Sequence, residues 1–218
     1  MIKILVTIGP GSFSEKVIKE IDKENVYLFR INMCHTTVDK IEDAIKTIKN
    51  ATTNPICIDS EGAQLRNNYM EHENVLFKSG EKITIHFSEV LGNSTNISLN
   101  HTQGTKQLTV GDKIRIDFKG VVIQVVEVRK ECIIAKVING GTVGSNKAVN
   151  VNKIIDLPAI TEKDKIAIQL GKKMGVRNFA LSFSSSMKNV MDFRELTGSE
   201  TIIMSKIESL KGLMNLDE

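Results

Sequence analysis

Short apolar runs alternate with amphipathic stretches over the first sixty residues, and this rhythm limits the folds that the chain can adopt. Apolar runs at 2–8, 26–33 and 55–59 predict β-strands. Residues 13–23 and 38–49 lie between these runs and repeat apolar side chains at helical spacing. A β-α-β-α-β succession with short loops predicts parallel strands joined by helical crossovers.

The rhythm changes between about residues 66 and 156, where no helical pattern is convincing. Short β-rich runs are separated there by turn signals such as Ser79-Gly80 and Gly111-Asp112. This pattern predicts a small all-β barrel inserted after the third strand. The β-rich runs are 82–87, 106–108, 113–117, 121–128 and 132–138.

The α/β rhythm returns at Leu157. Thr161 fits the N-cap of a helix that runs to about residue 174, and residues 178–183 form a fourth parallel strand. A helix follows Ser184-Ser185-Ser186, and the stretch 201–209 carries a fifth strand with three consecutive apolar residues, which predicts burial on both faces. The predicted fold is α/β, with about five βα units in 1–66 and 157–218 and an all-β domain in 67–156.

Composition excludes several classes of function. The net charge of +3 comes from interspersed residues, there is no Trp, and only two Tyr are present, so no nucleic-acid partner is expected. Cys34, Cys57 and Cys132 form no CxxC pair, which argues against a zinc site or a disulfide framework and favours a reducing compartment. No apolar run reaches the length of a membrane span and the N-terminus lacks a signal-peptide pattern, so we expect a cytoplasmic protein with no membrane partner.

Polar side chains recur where the predicted strands end. In βα folds the functional residues gather at the carboxyl ends of the strands. Two cations, two carboxylates and an amide oxygen at one edge suit phosphate and Mg²⁺ chemistry. These residues are Arg30, Asn32, Asp59, Lys206 and Glu208.

Single residues leave alternatives open. Lys206 and Glu208 are either a surface ion pair at a strand end or a cation for a substrate anion beside a metal ligand. Gly9-Pro10-Gly11-Ser12 is either a simple turn or a phosphate cradle. His35 acts in catalysis or holds a loop, and Asp59 is a turn residue or a metal ligand.

Six motifs in order resemble those of the pyruvate kinase family, and the resemblance runs along all 218 residues but covers only the N-terminal part of that family's subunit. The match is that of a divergent member. The motifs are Thr7-Ile8-Gly9-Pro10-Gly11-Ser12 (TIGPAS), Arg30-Ile31-Asn32-Met33-Cys34-His35 (RxNFSH), Asp59-Ser60-Glu61-Gly62-Ala63-Gln64-Leu65-Arg66 (DTKGPEIR), 139–150 (NGGxLGSxKGVN), 156–164 (DLPAxxEKD) and Ser205-Lys206-Ile207-Glu208 (SKIE).

The resemblance implies a (β/α)₈ TIM-type barrel, incomplete here, with a lid domain after the third strand. It implies a Mg²⁺-dependent glycolytic kinase that moves a phosphoryl group between phosphoenolpyruvate and ADP, giving pyruvate and ATP. The residues that it brings forward are Lys206, Arg30 and Arg66 as catalytic; Arg30, Asn32, His35, Thr7, Pro10, Lys147 and Ser182 as substrate- or nucleotide-binding; Glu208 as the Mg²⁺ ligand; and Asn32, Cys34, Asp59 and Ser60 around K⁺.

The chain departs from the family pattern at four positions, three in these motifs and one in Ser182-Phe183-Ser184-Ser185, which resembles the family's SFIR. Cys34 stands where the family has a Ser, and sulfur is a poor ligand for a hard cation. Glu61, Gln64 and Ser185 replace a Lys, a Glu and an Arg. Because the family continues with further barrel strands, we expect this chain alone to be inactive and to need the C-terminal part or a homo-oligomer. The alternative is a relative that binds a phosphorylated ligand or a protein partner without catalysis.

Overall fold

The computed structural model describes residues 2–117 and 120–218. The chain divides into two compact units, one made of Met1–Ala63 and Pro158–Glu218 and the other of Gln64–Leu157. The strands are β1 (Ile4–Thr7), β2 (Val26–Asn32), β3 (Ile56–Asp59), β4 (Leu65–Arg66), β5 (Val75–Phe77), β6 (Lys82–His86), β7 (Asn96–Ser98), β8 (Lys113–Ile116), β9 (Val121–Val128), β10 (Cys132–Asn139), β11 (Gly141–Val143), β12 (Ala148–Val151), β13 (Asn178–Leu181) and β14 (Ile202–Ser205). The helices are α1 (Glu15–Asp22), α2 (Ile41–Ala51), α3 (Thr102–Thr105), α4 (Glu162–Lys173), α5 (Met187–Thr197) and α6 (Leu210–Met214), and a 3₁₀ turn spans Val38–Lys40.

The strands of the first unit form one parallel sheet. Among the described residues its order is β1-β2-β3-β13-β14, so neighbours in the sheet follow chain order. A doubly wound sheet reverses its order at a switch point, whereas a (β/α) barrel adds each strand beside the last. The predicted α/β class, with an incomplete barrel of the (β/α)₈ type, is therefore confirmed.

The two faces of this sheet are packed differently. Helix residues such as Ile45 and Phe193 form one large core with Phe29, Ile58 and Phe179 from the strands. Full burial of each of these side chains contributes about 1.5–3 kcal/mol, so this face supplies most of the unit's stability. The opposite face carries only a small apolar cluster, made of Leu28, Cys57, Ala180 and Met204.

Side-chain caps fix where the helices of this unit begin. The Thr161 hydroxyl accepts the Asp164 N–H and the Asp164 carboxylate accepts the Thr161 N–H, which is a complete capping box. Ser186 caps α5 in the same way by accepting from the Asn189 N–H. The Thr161 N-cap was predicted from the sequence and is confirmed, and the helix predicted after Ser184-Ser185-Ser186 is confirmed, with Ser186 as the serine that caps it.

The second unit is built mainly on β-structure. Its larger sheet has the order β4-β12-β8-β9-β10-β6-β7, and a further sheet pairs β11 with β5. Pairing in the larger sheet is antiparallel except between β6 and β7. Its core is continuous and rich in β-branched side chains such as Ile85, Ile114, Val121 and Ile133.

The predicted strand at 106–108 is wrong. The short helix α3 occupies Thr102–Thr105, and the residues after it continue as a turn in which the Leu108 N–H donates to the Thr105 carbonyl. Leu108 is buried, which explains its apolar character without a strand. The expectation that 66–156 holds no helix is wrong for the same four residues.

The fifth strand also differs from its prediction. Ile202 is 55% exposed and the strand ends at Ser205, so Lys206 and Glu208 lie in the loop that follows. The apolar run implied burial on both faces, but β14 pairs with β13 on one side and is an edge of the described sheet. No helix in the described ranges is both long and apolar enough to cross a membrane.

Candidate active site

Five polar side chains meet on the sheet face opposite the helices. Parallel register places Thr7 beside Arg30, Asn32 beside Asp59, and Leu181 beside Ser205. Side chains alternate along a strand, so a residue two positions after a member of the small apolar cluster lies on the same face of the sheet as that member. The polar group is therefore a layer directly above that cluster, at the carboxyl ends of the strands; its members are Thr7, Arg30, Asp59, Ser182 and Lys206.

The carboxylate of Asp59 is the centre of this layer. Its side chain is fully buried, and Arg30 donates to Oδ2 through Nε at 2.6 Å and also through Nη2. Lys206 donates through Nζ to Oδ2 at 3.0 Å and to Oδ1 at 3.2 Å, and the Ser182 hydroxyl donates to Oδ1 at 3.0 Å. A buried carboxylate with these partners is satisfied, and it holds two cations side by side.

The cations keep partly open positions. The side chains of Arg30 and Lys206 are 26% and 30% exposed. Arg30 also donates through Nη1 to Thr7 Oγ1 at 2.8 Å, which fixes the guanidinium plane. Two fixed cations that share one buried carboxylate leave positive charge available to an anionic ligand.

Glu208 stands beside Lys206 but in loose contact with it. The two charged atoms, Lys206 Nζ and Glu208 Oε2, lie 3.5 Å apart. Oε2 also accepts the Phe183 N–H at 3.1 Å, while Oε1 has no hydrogen-bond partner among the described residues. Mg²⁺ in kinases is held by one or two carboxylates together with substrate phosphates and water, so Glu208 fits one such ligand.

The residues predicted around K⁺ fit that ion only in part. Asn32 Oδ1 accepts the Cys34 N–H at 3.0 Å, and Ser60 Oγ accepts the Ser182 N–H at 2.9 Å, so each oxygen keeps a free lone pair. The Asp59 oxygens are already shared by two cations, and Cys34 offers a soft sulfur. The described ranges contain no group of three or more His, Cys, Asp or Glu side chains that could hold a metal ion.

A cavity of about 430 Å³ opens beside this cluster within the same unit. Thr7, Pro10 and His35, which the sequence places near a nucleotide, all line it. Phe13 and Lys40 line it as well and were missed, because each lies in a helical or capping stretch that reads as ordinary surface. Gly9-Pro10-Gly11-Ser12 is a turn, closed by the Ser12 N–H donating to the Gly9 carbonyl at 2.9 Å.

The loop after β3 is tied to the start of α4. Glu61 pairs with Lys163 at 2.8 Å, and the Glu61 N–H donates to Asp164 Oδ1 at 2.8 Å. Burial raises the pKa of the Asp164 carboxyl, although the N–H groups that it accepts oppose that shift. The unusual Glu61 thus has a cationic partner within the unit, and the pair positions the loop beside Asp59 and Ser60.

Two predicted site residues belong to the second unit. Arg66 donates through Nη1 to the Asn146 carbonyl at 3.0 Å and through Nη2 to Gln64 Oε1 at 2.8 Å. The Lys147 ammonium lies 3.6 Å from Asp117 Oδ2. Their roles toward a substrate stay predictions.

A parallel sheet wound in chain order, with cations and a carboxylate cluster at its carboxyl edge, defines a (β/α)-barrel protein with a site suited to phosphate chemistry. A family model described as "Pyruvate kinase, barrel domain" matches residues 1–218. The chain therefore belongs to the pyruvate kinase family, as the ordered motifs predicted.

Curated relatives agree with this assignment. The chain is 32% identical over 228 residues to the pyruvate kinase of Geobacillus stearothermophilus, with 99% of this chain and 39% of the relative covered. It is 32% identical to the pyruvate kinases of Clostridium perfringens and Thermotoga maritima, with 99% of this chain and 48% of each relative covered. The chain thus corresponds to an N-terminal part, and it spans less than half the length of these relatives.

Proposed function

We propose that this chain carries the phosphoryl-binding part of a pyruvate kinase, which moves a phosphoryl group between phosphoenolpyruvate and ADP. The observation that carries the proposal is the meeting of Arg30 and Lys206 on the buried Asp59 at the carboxyl edge of the sheet. Phosphoryl transfer requires positioning and charge neutralisation rather than covalent chemistry, and a fixed pair of cations supplies both. Relatives that align with 99% of the chain are named pyruvate kinases.

Three residues of the cluster, together with Arg66 of the second unit, have the central roles in this proposal. Lys206 stabilises the transferring phosphoryl group and the negative charge that develops on the enolate oxygen. Arg30, and Arg66 from the second unit, bind phosphate oxygens through the guanidinium fork. Asp59 keeps both Arg30 and Lys206 oriented before substrate arrives.

Metal ions and nucleotide belong to the same proposal. Glu208 would hold Mg²⁺, which neutralises phosphate charge when bound, and Asn32, Asp59 and Ser60 would hold K⁺ with Cys34 as the poor ligand. The cavity lined by Thr7, Pro10 and His35 would receive the nucleotide, with Ser182 beside the phosphoryl group. Lys147 of the second unit stays a predicted nucleotide-binding residue. We propose the cytoplasm as its compartment, in keeping with three free cysteines.

A second candidate is a pyruvate kinase relative that binds a phosphorylated ligand without catalysis. Only one carboxylate oxygen, that of Glu208, is open to a metal in the described cluster, whereas both Asp59 oxygens are taken by cations and a hydroxyl. The chain also spans only 39–48% of the relatives' lengths. Both observations favour binding over turnover by this chain alone.

Calorimetry and a turnover assay on the same preparation separate these candidates. The chain is titrated with phosphoenolpyruvate and with ADP in buffer that contains MgCl₂ and KCl, and pyruvate formation is measured in parallel. Lys206→Met should weaken phosphoenolpyruvate binding at least about tenfold, since it removes a charge-assisted contact. Lys188→Met, which removes an exposed ammonium paired with Asp192 on α5, is the matched control and should bind like the parent.

Each outcome has a defined meaning. Pyruvate formation that Lys206→Met abolishes supports the enzyme. Ligand binding without pyruvate formation supports the second candidate when it is found in the full-length protein that carries this chain, since the first candidate does not require turnover by the chain alone. An absence of binding to either ligand contradicts both.

A further inference from the structure

The turn that follows β13 contacts both members of the Lys206–Glu208 pair. The Ser182 hydroxyl accepts from Lys206 Nζ at 2.9 Å, and the next residue, Phe183, donates its backbone N–H to Glu208 Oε2 at 3.1 Å. The pair itself is separated by 3.5 Å, longer than the 2.7–2.9 Å of a charge-assisted hydrogen bond. Two adjacent residues of this turn therefore each bind one partner of the pair: Ser182 binds the ammonium and Phe183 binds the carboxylate.

The Ser182 hydroxyl has only one possible orientation. An ammonium has no acceptor and an ionised carboxylate has no donor. The hydroxyl hydrogen must therefore go to Asp59 Oδ1, at 3.0 Å, and an oxygen lone pair must face Lys206. Ser182 is 3% exposed, and its own N–H donates to Ser60 Oγ at 2.9 Å, so the residue cannot turn away.

Phe183 has a backbone conformation that a side chain disfavours. Its φ is 53°, in the left-handed region that non-glycine residues rarely adopt outside functional sites. The loop after β14 fixes this turn, because the Ser184 N–H donates to the Lys206 carbonyl at 3.0 Å and the Lys206 N–H donates to the Leu181 carbonyl at 2.9 Å. This conformation is what directs the Phe183 N–H toward Glu208.

We propose that the Ser182–Phe183 turn is a positioning device that keeps Lys206 and Glu208 apart. Ser182 holds the ammonium against Asp59, and the Phe183 amide holds the carboxylate away from it. Without the turn, the two side chains would close into a direct ion pair, since each is partly shielded from water and opposite in charge. The ammonium would then be less available to an anion, and the carboxylate to a cation.

In this proposal Ser182 acts as a positioning residue, and its direct binding of substrate stays a prediction from the sequence. The functional meaning of the device rests on the proposed function, but its geometry does not. The experiments that test the device use no phosphoenolpyruvate, so their results can be interpreted even if the chain does not bind phosphoenolpyruvate.

Crystal structures of the parent, Ser182→Ala and Ser185→Ala test the Ser182 contact. In Ser182→Ala we expect the distance from Lys206 Nζ to Glu208 Oε2 to contract from 3.5 Å to about 2.7–2.9 Å. Ser185 is the matched control, because it lies in the same loop and its hydroxyl donates to Asn189 rather than to the pair. A distance in Ser182→Ala that stays at 3.5 Å or lengthens would overturn the proposal.

Hydrogen exchange tests the Phe183 contact without altering Ser182. The Phe183 amide should exchange at least about tenfold faster in Glu208→Ala than in the parent, because its acceptor is removed. The Ser184 amide, which donates to a backbone carbonyl, should keep its rate. Equal Phe183 exchange rates in the parent and Glu208→Ala would overturn the proposed role of the Phe183 amide. The ammonium ¹⁵N signal of Lys206, compared between the parent and Ser182→Ala, is a spectroscopic check on the Ser182 contact.

Discussion

Arg30 donates through Nε to the carboxylate of Asp59 at 2.6 Å, and Asp59 is completely buried. A buried carboxylate is tolerated when cations and hydrogen bonds compensate for its lost hydration. Lys206 completes that compensation from another strand end. The cluster therefore links β2, β3 and the loop that follows β14 through one shared carboxylate.

Asp59→Ala should lower the free energy of unfolding by about 3–5 kcal/mol, because it leaves two cations without their shared partner. Urea unfolding followed by circular dichroism measures the change. Asp192→Ala, which removes the exposed partner of Lys188, is the control and should stay within about 0.5 kcal/mol of the parent. Equal stability of Asp59→Ala and the parent would show that the cluster does not stabilise the fold.

Gly62→Ala should be more damaging than an ordinary substitution at a left-handed glycine. Gly62 has φ +68°, and a Cβ there would lie 2.4 Å from the Ser182 carbonyl oxygen, which is backbone and cannot turn aside. We expect a loss of about 2–4 kcal/mol from strain and overlap together. Gly80→Ala separates the two effects, because Gly80 has φ +90° with open space around it, and should cost about 1–2 kcal/mol. Similar losses at both positions would contradict the steric part.

Alkaline pH should destabilise the chain through Cys57. Burial, with the Asp59 charge, raises the pKa of the Cys57 thiol from 9.0 to about 12. The folded state therefore keeps the proton longer than the unfolded state, and stability is lost as pH rises from 9.0 towards 12. Between pH 9 and 10.5 the parent should lose up to about 2 kcal/mol more than Cys57→Ala. Parallel pH profiles for the two proteins would show that the buried thiol is not the cause.

Acid pH should act through Asp112 in the second unit. Burial alone would raise the pKa of Asp112, but hydrogen bonds from Lys153, at 2.6 Å, and from Thr109 outweigh it and hold the pKa below its usual value. Stability from this contact is present above pH 4 and disappears as pH falls through the lowered pKa.

Asp112→Asn should therefore cost about 1–2 kcal/mol at pH 7 and much less near pH 2. Urea unfolding at both pH values measures the difference. Glu127→Gln, which removes an exposed partner of Arg129, is the control and should leave the midpoint unchanged. A constant difference between Asp112→Asn and the parent at both pH values would argue against the proposed linkage.

The sequence predicts the parts of this protein that depend on local periodicity. The first four strands of the first unit are displaced by no more than two residues at either end from their apolar runs, whereas β14 ends at Ser205 within the predicted stretch 201–209. Thr161 caps α4 as expected. Short strands such as β4 and β11 were missed, because two or three residues carry no periodic signal and their pairing depends on distant partners.

The sequence predicts where the residues of the cluster lie, but not which hydrogen bonds and ion pairs they form. Strand ends bring Arg30, Asp59 and Lys206 to one edge, and this follows from the βα rhythm. The sharing of Asp59 between two cations, and the left-handed turn at Phe183, depend on side-chain reach and backbone strain across elements. Neither leaves a pattern in a single sequence.

The adjacent strands β3 and β13 are separated by about 120 residues of chain. Because long loops close slowly, we expect their pairing to be the slowest step in forming the parallel sheet. The β4–β12 pairing changes this search, because Leu65 lies beside Val149 once the second unit has formed. The loop to be closed then shortens to residues 60–64 on one side and to residues 152–177, which include α4, on the other. We therefore expect the inserted segment to condense first and to shorten this long-range encounter, so substitutions that weaken its core should slow the refolding of the parallel sheet.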